Sequence, residues 1–407
     1  MSTVTDYSPS LQAPRSTAAK SILPSMAVAE VEAYFDPAAI LPIWAELEAV
    51  AAVSVYQTRA FLIPWIEAIG KGRHIAPLFI VGKDEHGRAI ALLCLGIERH
   101  GPFRIASFLG GKESNFHLGL FRTNVSLTDA DLRFLLRRAA KRLGAAAPHV
   151  FFLQNQPFEW EGTENPLALL PYQPSPSFAY ATQLGMAGEK FLAQRLSKDT
   201  RKKLRKKEAR LADLGPVTLV SNNDPDTAQA ILDTFLAEKI ARFREQHSVE
   251  AYFADPATRA FFERLSISSD GGMPWLEFYA LKAGERIIAT YAGAAHRGHF
   301  SCMVNSFDDD PEIAKSSPGE LLLMRLIALQ CDRGLAGFDL GIGEARYKAT
   351  FCDRTVPLFD IIFPIGVIGR VYGTYAALRL KAKRMVKRNP KLLALARRLR
   401  WSMSQKS

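Results

Sequence analysis

The sequence predicts a mixed α/β protein of two tandem lobes, each a mixed sheet flanked by helices, followed by a basic helical tail. Three observations carry this. The chain has 407 residues, too many for one typical domain of roughly 100–200 residues. The order strand meander, helix, strand occurs twice. The turn glycines of the two meanders fall into register when one is shifted by 197 positions, which sets Gly87 on Gly284, Gly96 on Gly293 and Gly101 on Gly298, with Ile90 on Ile287 and Phe103 on Phe300. Glycines coincide where two chains need the same tight turns.

In the first half, apolar spacing predicts helices over 41–52 and 59–69. Strand-like runs follow at 77–81, 89–97 and 103–109, separated by turn signals at 84–87 and 99–102. After a long loop, Leu132, Leu135, Leu136, Ala139 and Leu143 mark a helix over 129–143, and 150–153 reads as a buried strand. The second half repeats the order. A strand at 178–184 is followed by one long basic helix over 189–213, a short strand at 217–221 and helices near 226–246 and 256–267. Strands at 275–281, 286–295 and 299–307 precede a helix at 318–333 and a strand at 337–340. The expected boundaries are a disordered 1–28, lobes over 29–185 and 186–365, and a tail over 366–407.

The net charge is +11, yet residues 361–407 hold twelve Lys and Arg and no acid, so residues 1–360 sum to −1. The excess is a property of the tail, not of a nucleic-acid surface. Within the tail Val371, Tyr375, Leu378, Met385 and Val386 alternate with basic residues, a pattern suited to an anionic membrane surface or to docking on protein. Four scattered cysteines and an N-terminus without an apolar core segment predict free thiols and a cytoplasmic protein, which the tail can bring to the inner membrane face. No run of 18 apolar residues exists to span a bilayer. The spacing of His296, His299 and Cys302 splits them across strand faces, so no metal site is expected.

Chemistry concentrates in the second half. Lys315, Ser316, Ser317, Pro318 and Gly319 lead from a strand into a helix, with Ser317 as N-cap and Pro318 at the first turn. Free amides at such a start suit a pyrophosphate like that of coenzyme A, or simply cap the helix. Asn305, just upstream, is a candidate substrate contact. The run Asp339 to Lys348 sets a carboxylate, Glu344, Tyr347 and an ammonium at the carboxyl edge of a sheet, where open α/β folds bind ligands. Asp339 can equally be a cap or ion-pair partner. Arg201 and Arg205 lie on the basic helix 189–213 and are candidates for a phosphorylated substrate. Its lack of interleaved aromatics leaves base stacking unsupported.

The runs Ser197…Arg201-Lys202…Leu204-Arg205…Leu214-Gly215, Ser317-Pro318-Gly319…Leu322 and Phe338-Asp339…Gly343…Tyr347-Lys348 resemble the CelD-like acetyltransferases, a family of the GNAT superfamily related to the Fem peptidyltransferases. The first half is similar in Phe61…Trp65, in 89–93 and in 108–116. The resemblance covers about 30–365. It implies two GNAT-like lobes, an acetyl-CoA or other acyl-CoA donor, a small-molecule or saccharide acceptor and an envelope or exopolysaccharide context. The usual GNAT pyrophosphate loop is absent, and Lys315 to Gly319 occupies its place. The expected roles are Tyr347 as acid toward the leaving thiolate, Glu344 or Asp339 as base, the 315–319 segment as phosphate cradle, and Arg201, Arg205, Asn305 and Lys348 toward substrate. Two other readings stay open: a Fem-like transferase using aminoacyl-tRNA, though no helical hairpin arm is evident, and a non-catalytic scaffold of a polysaccharide-synthesis complex.

Overall fold

A computed structural model describes residues 28–245, 251–267 and 274–389. The expected disordered N-terminus, up to residue 27, and the tail beyond 389 lie outside them.

The two meanders adopt the same topology. The first sheet runs, in spatial order, Glu30–Tyr34, Ala76–Lys83, Ala89–His100, Phe103–Phe108, Val150–Pro157, Leu358–Pro364 and Tyr172–Pro174. The second runs Val217–Ser221, Glu277–Ala283, Arg286–His296, His299–Phe307, Gly337–Ile342, Ala179–Gln183 and Arg354–Val356. In each, the pair between the fourth and fifth strands is parallel and the neighbouring pairs are antiparallel. The matched glycines are explained by geometry. Gly87 and Gly284, and Gly101 and Gly298, all have positive φ at hairpin turns.

Two strands cross the lobe boundaries expected at 185 and 365. Ala179–Gln183 lies in the second sheet, between Gly337–Ile342 and Arg354–Val356. Leu358–Pro364 returns to the first sheet, between Val150–Pro157 and Tyr172–Pro174. The sequence reading assigned no strand here. Buried Leu358, Phe359, Ile361 and Phe363 carry it into the first core. The lobes also share a core in which the Phe61 ring lies 5.5 Å from both Phe261 and Trp275. Arg297, on the turn after strand 286–296, donates to the carbonyls of Glu48, Ala49 and Ala51. There it satisfies the acceptors left open at the end of helix Leu41–Val50.

The helices differ from expectation in one place. The basic segment is two helices, Gly188–Arg195 and Lys198–Leu211. Ser197 breaks the run because its hydroxyl accepts from the Thr200 amide and starts a new helix. Helix 198–211 buries Leu204 and Leu211 and is fixed along helix Pro318–Asp332 by the Arg325–Glu208 ion pair. The tail follows strand Leu358–Pro364 as a helix, Gly366–Arg388, packed on the first sheet. A Cβ at Gly369 would sit 1.9 Å from the His149 carbonyl oxygen, so only glycine allows this close approach.

Candidate active site

The site begins where the parallel strands of the second sheet part. His299, Phe300 and Ser301 pair with Gly337, Phe338 and Asp339, and the pairing stops there although both strands continue. Asp339 is fully buried and clamps the junction. It accepts from Ser301 Oγ at 2.5 Å, His299 Nε2 at 3.0 Å and the Gly341 amide at 2.8 Å. With its oxygens committed to these donors it is a structural fastener, which corrects its assignment as base.

Past the clamp, Asn115 of the first lobe reaches into the opening. Its Nδ2 donates to the Cys302 carbonyl at 2.9 Å and to Tyr56 Oη at 2.8 Å, and its Oδ1 accepts from the Ile342 amide. Gly341 (φ +63°) leaves room for it, since a Cβ there would lie 2.2 Å from the Asn115 amide nitrogen. One step further, Met303 is an extra residue. Ala292 faces Val304 and Gly293 faces Cys302, so the strand bulges at Met303. Bulges re-aim the backbone and side chains beside them. The equivalent strand of the first lobe pairs without a break from Phe103 to Phe108.

Tyr347 stands at the mouth of the opening. Its half-buried phenol is hydrogen-bonded to Tyr291 and Asn305, and burial raises its pKa, keeping it protonated at neutral pH. Lys348, expected to meet substrate, is instead buried and donates to the carbonyls of Leu340 at 2.6 Å and Ile342 at 2.9 Å, closing the strand end. Glu344 is exposed on the loop before helix Arg346–Phe351.

The helix start at 318 is built differently from the sequence reading. Ser317 sits at the cap position in left-handed conformation (φ 49°, ψ 59°) and makes no side-chain cap bond. Its hydroxyl accepts from Lys207 Nζ at 2.8 Å. The amides of Lys315, Ser316 and Ser317 are bonded to the carbonyls of Pro311, Ile313 and Ala314, and the Lys315 ammonium pairs with Glu312. These three are therefore not amide donors to a phosphate, and since the Glu320 and Leu321 amides are bonded to the Ser317 carbonyl the cradle narrows to the Gly319 amide. A Cβ at Gly319 would meet nothing closer than Phe307, at 3.7 Å. Two cations flank this point: Lys207, which also pairs with the first-turn Glu320 at 3.1 Å, and Arg242, whose guanidinium lies 4.5 Å from the Phe307 ring centre. Of the three aspartates just upstream, Arg286 pairs with Asp308 at 2.7 Å and reaches Asp310 at 3.5 Å, which offsets one of their charges. Of the two arginines expected to bind substrate, Arg205 is exposed, and the half-buried Arg201 leaves its Nε without a hydrogen-bond partner. Lys207, two residues on from Arg205, is the one seen at the helix start, since it shares the face turned toward helix 318–332.

The opposite face of strand 299–307 carries a group the sequence reading missed. Glu238, on helix Pro225–Glu245, accepts from Ser306 Oγ, which also shares a hydrogen bond with Thr290. Burial, reinforced by Asp308 and Asp309, raises its pKa to about 7 despite the Ser306 bond. A Glu in a helix without a motif gives no signal in sequence. Next to this face, Met303 and Val304 line a small cavity between the lobes, with Phe61, Phe261, Tyr252 and Glu113. Glu113 Oε2 accepts from Trp65 Nε1 at 2.7 Å, while its buried Oε1 forms an ion pair with Arg73 at 3.7 Å.

With that geometry in place, comparison with known proteins is informative. Residues 198–349 match the family model described as an acetyltransferase (GNAT) domain. The match spans fewer than half of the 407 residues. Among solved structures, FemX shares 9% identity over 82% of this chain and 97% of its own, with a TM-score of 0.52. A conserved protein of unknown function from Bacteroides thetaiotaomicron shares 13% identity, over 82% of this chain and all of its own, at a TM-score of 0.49. A tandem GNAT protein from the clavulanic acid biosynthesis pathway shares 10%, over 82% and 98%, at 0.45. At such identities the likeness is one of fold. No curated protein matches the sequence. The fold is a mixed α/β tandem of two sheets with the same strand order, and its second half is similar to an acetyltransferase (GNAT) domain.

Proposed function

We propose that the chain moves an acyl group from acyl-CoA to an amine or hydroxyl acceptor, at the parted strands of the second lobe. The observation that carries this is the opening between strands 299–307 and 337–342, bulged at Met303 and bordered by a protonated phenol. A free strand edge can accept an extended amide-bearing arm, as the pantetheine of acyl-CoA is, by backbone pairing. The pyrophosphate then fits the start of helix 318–332, where the helix dipole and Arg242 supply positive potential and Lys207, now paired with Glu320, can turn to it. The CoA thioester supplies the activated acyl group.

The acceptor approaches from the face of Glu238 and the inter-lobe cavity. Its nitrogen or oxygen attacks the thioester carbonyl, the C–S bond breaks, and the acyl group is joined to the acceptor. Glu238 takes the acceptor's proton. Tyr347 gives its phenolic proton to the departing thiolate, held in line by Tyr291 and Asn305, and solvent exchange resets both groups. The first lobe supplies Asn115, Phe61 and Glu113, so it shapes the cleft rather than running a second reaction. A saccharide acceptor in envelope or exopolysaccharide metabolism, within the CelD-like branch, is the context we infer from the sequence resemblance.

The first test is thermal shift of the full chain with acetyl-CoA, longer acyl-CoAs and tRNA, since a ligand selective for the folded state raises the midpoint. Stabilisation by acyl-CoA is expected. Stabilisation by tRNA without acyl-CoA would move the reading to an aminoacyl-tRNA-dependent transferase, and silence from all three would favour a scaffold. The second test is turnover, read as free thiol. Tyr347→Phe keeps the packing but should slow the reaction by roughly 100-fold or more, within the range for general acid catalysis. In Glu238→Gln the rise in rate with an apparent pKa of about 7 should vanish. Full activity in both variants removes these residues from the mechanism.

A further inference from the structure

Helix Gly366–Arg388 has two faces with different fates. Tyr372, Ala376 and Leu380 are buried against the first lobe. The opposite side leaves Val367 at 75% exposure, Val371 at 60%, Tyr375 at 57%, Leu378 at 63% and Met385 at 56%, with Ile368 at 53% beside them. At about 100° of rotation per residue, Val367, Val371, Tyr375, Leu378 and Met385 fall within an arc of about 80°. Such a contiguous apolar stripe on a protein's surface marks a contact surface. The stripe is bordered by charge of one sign. The exposed Arg370 and Lys381 lie on one flank and Arg379 on the other, and 366–389 holds seven Lys and Arg with no acid. No helix among the described residues is long and apolar enough to cross a membrane.

We propose that the outer face of helix Gly366–Arg388 lies on an anionic lipid bilayer, its apolar stripe in the headgroup–acyl boundary and its basic flanks on the lipid phosphates. An apolar surface alone would suit a second protein. The uniform positive border favours anionic lipid, because a polybasic flank gains from the negative surface potential of such a bilayer. The inner face is already satisfied by the first sheet, so the helix is held parallel to the surface rather than free to insert. The proposal stands independently of the acyl-transfer reading.

The test is co-sedimentation of the full chain with phosphatidylcholine vesicles and with vesicles containing phosphatidylglycerol. Binding to the anionic vesicles at low salt is expected, weakening as salt is raised. The triple variant Val371→Ser, Tyr375→Ser, Leu378→Ser touches only exposed positions and should keep the unfolding midpoint while losing binding about tenfold or more. Arg370→Gln with Arg379→Gln and Lys381→Gln should abolish the preference for anionic lipid. Absence of binding at low salt overturns the proposal, as does undiminished binding of the triple serine variant. A concentration-dependent dimer that the serine variant dissolves would assign the stripe to a second copy of this chain and overturn it as well.

Discussion

Asp339 illustrates how one buried residue sets the geometry on which the site depends. Its carboxylate ties the two parallel strands together at their last common pair, through Ser301, and turns the chain through the Gly341 amide. Leaving a buried donor without its acceptor costs roughly 1–3 kcal/mol, more for a charged partner. Asp339→Ala should therefore destabilise the fold by about 3 kcal/mol, with any fall in activity accompanied by that loss of stability. Denaturant unfolding checks it. A fully stable variant with no turnover would return Asp339 to the reacting atoms. His117 is a second residue whose environment has a consequence. It is buried and stacked on Phe108 at 5.4 Å, and burial lowers its pKa to about 4. The folded state thus resists its protonation. The stability it preserves is complete above its unfolded pKa of about 6.5 and is lost as pH falls from there toward 4. At about 1.4 kcal/mol per unit that loss is ~3 kcal/mol. Unfolding midpoints measured from pH 7 to pH 4 should fall less steeply in His117→Phe than in the native chain, and equal slopes would remove His117 from the acid response.

At the scale of elements, the start of helix 318–332 decides whether the donor site is real. Gly319 is not required by the backbone, because a Cβ fits there at 3.7 Å from Phe307. Gly319→Val should thus leave the unfolding midpoint nearly unchanged while obstructing a phosphate brought up to the amide of residue 319. A loss of acyl-CoA affinity of tenfold or more by calorimetric titration is expected, and native affinity would place the pyrophosphate elsewhere. Element existence was largely legible in the sequence. The meanders, helix 129–143 and helix 318–332 follow from apolar period and turn chemistry, which are local. The break at Ser197 was not, since a serine can either ride a helix or cap a new one, and the choice depends on packing of Leu204 and Leu211. Lys348 was misread for a related reason: an ammonium in a loop motif looks available until the strand carbonyls it caps are seen.

At the scale of the molecule, the exchanged strands make the lobes interdependent. Residues 186–365 alone would lack Ala179–Gln183, leaving an edge of the second sheet open, and would expose Leu358, Phe359, Ile361 and Phe363. Open apolar edges aggregate. The intact chain should unfold in one cooperative calorimetric transition, and 186–365 expressed alone should be insoluble. Two well-separated transitions would show that the lobes fold independently. The sequence by itself determined the duplicated topology, the location of the excess charge and the segment where chemistry collects, because each is written in residue spacing along a continuous stretch. Only the tertiary structure decided which side chains lie together there. Asn115 reaches the opening from the other lobe, Glu238 meets strand 299–307 at Ser306 from a distant helix, and Lys207 meets the start of helix 318–332 from a different face of the basic helix. Burial by their neighbours, which no local pattern encodes, turns Asp339 and Lys348 into fasteners and Glu238 into a group that titrates near neutrality.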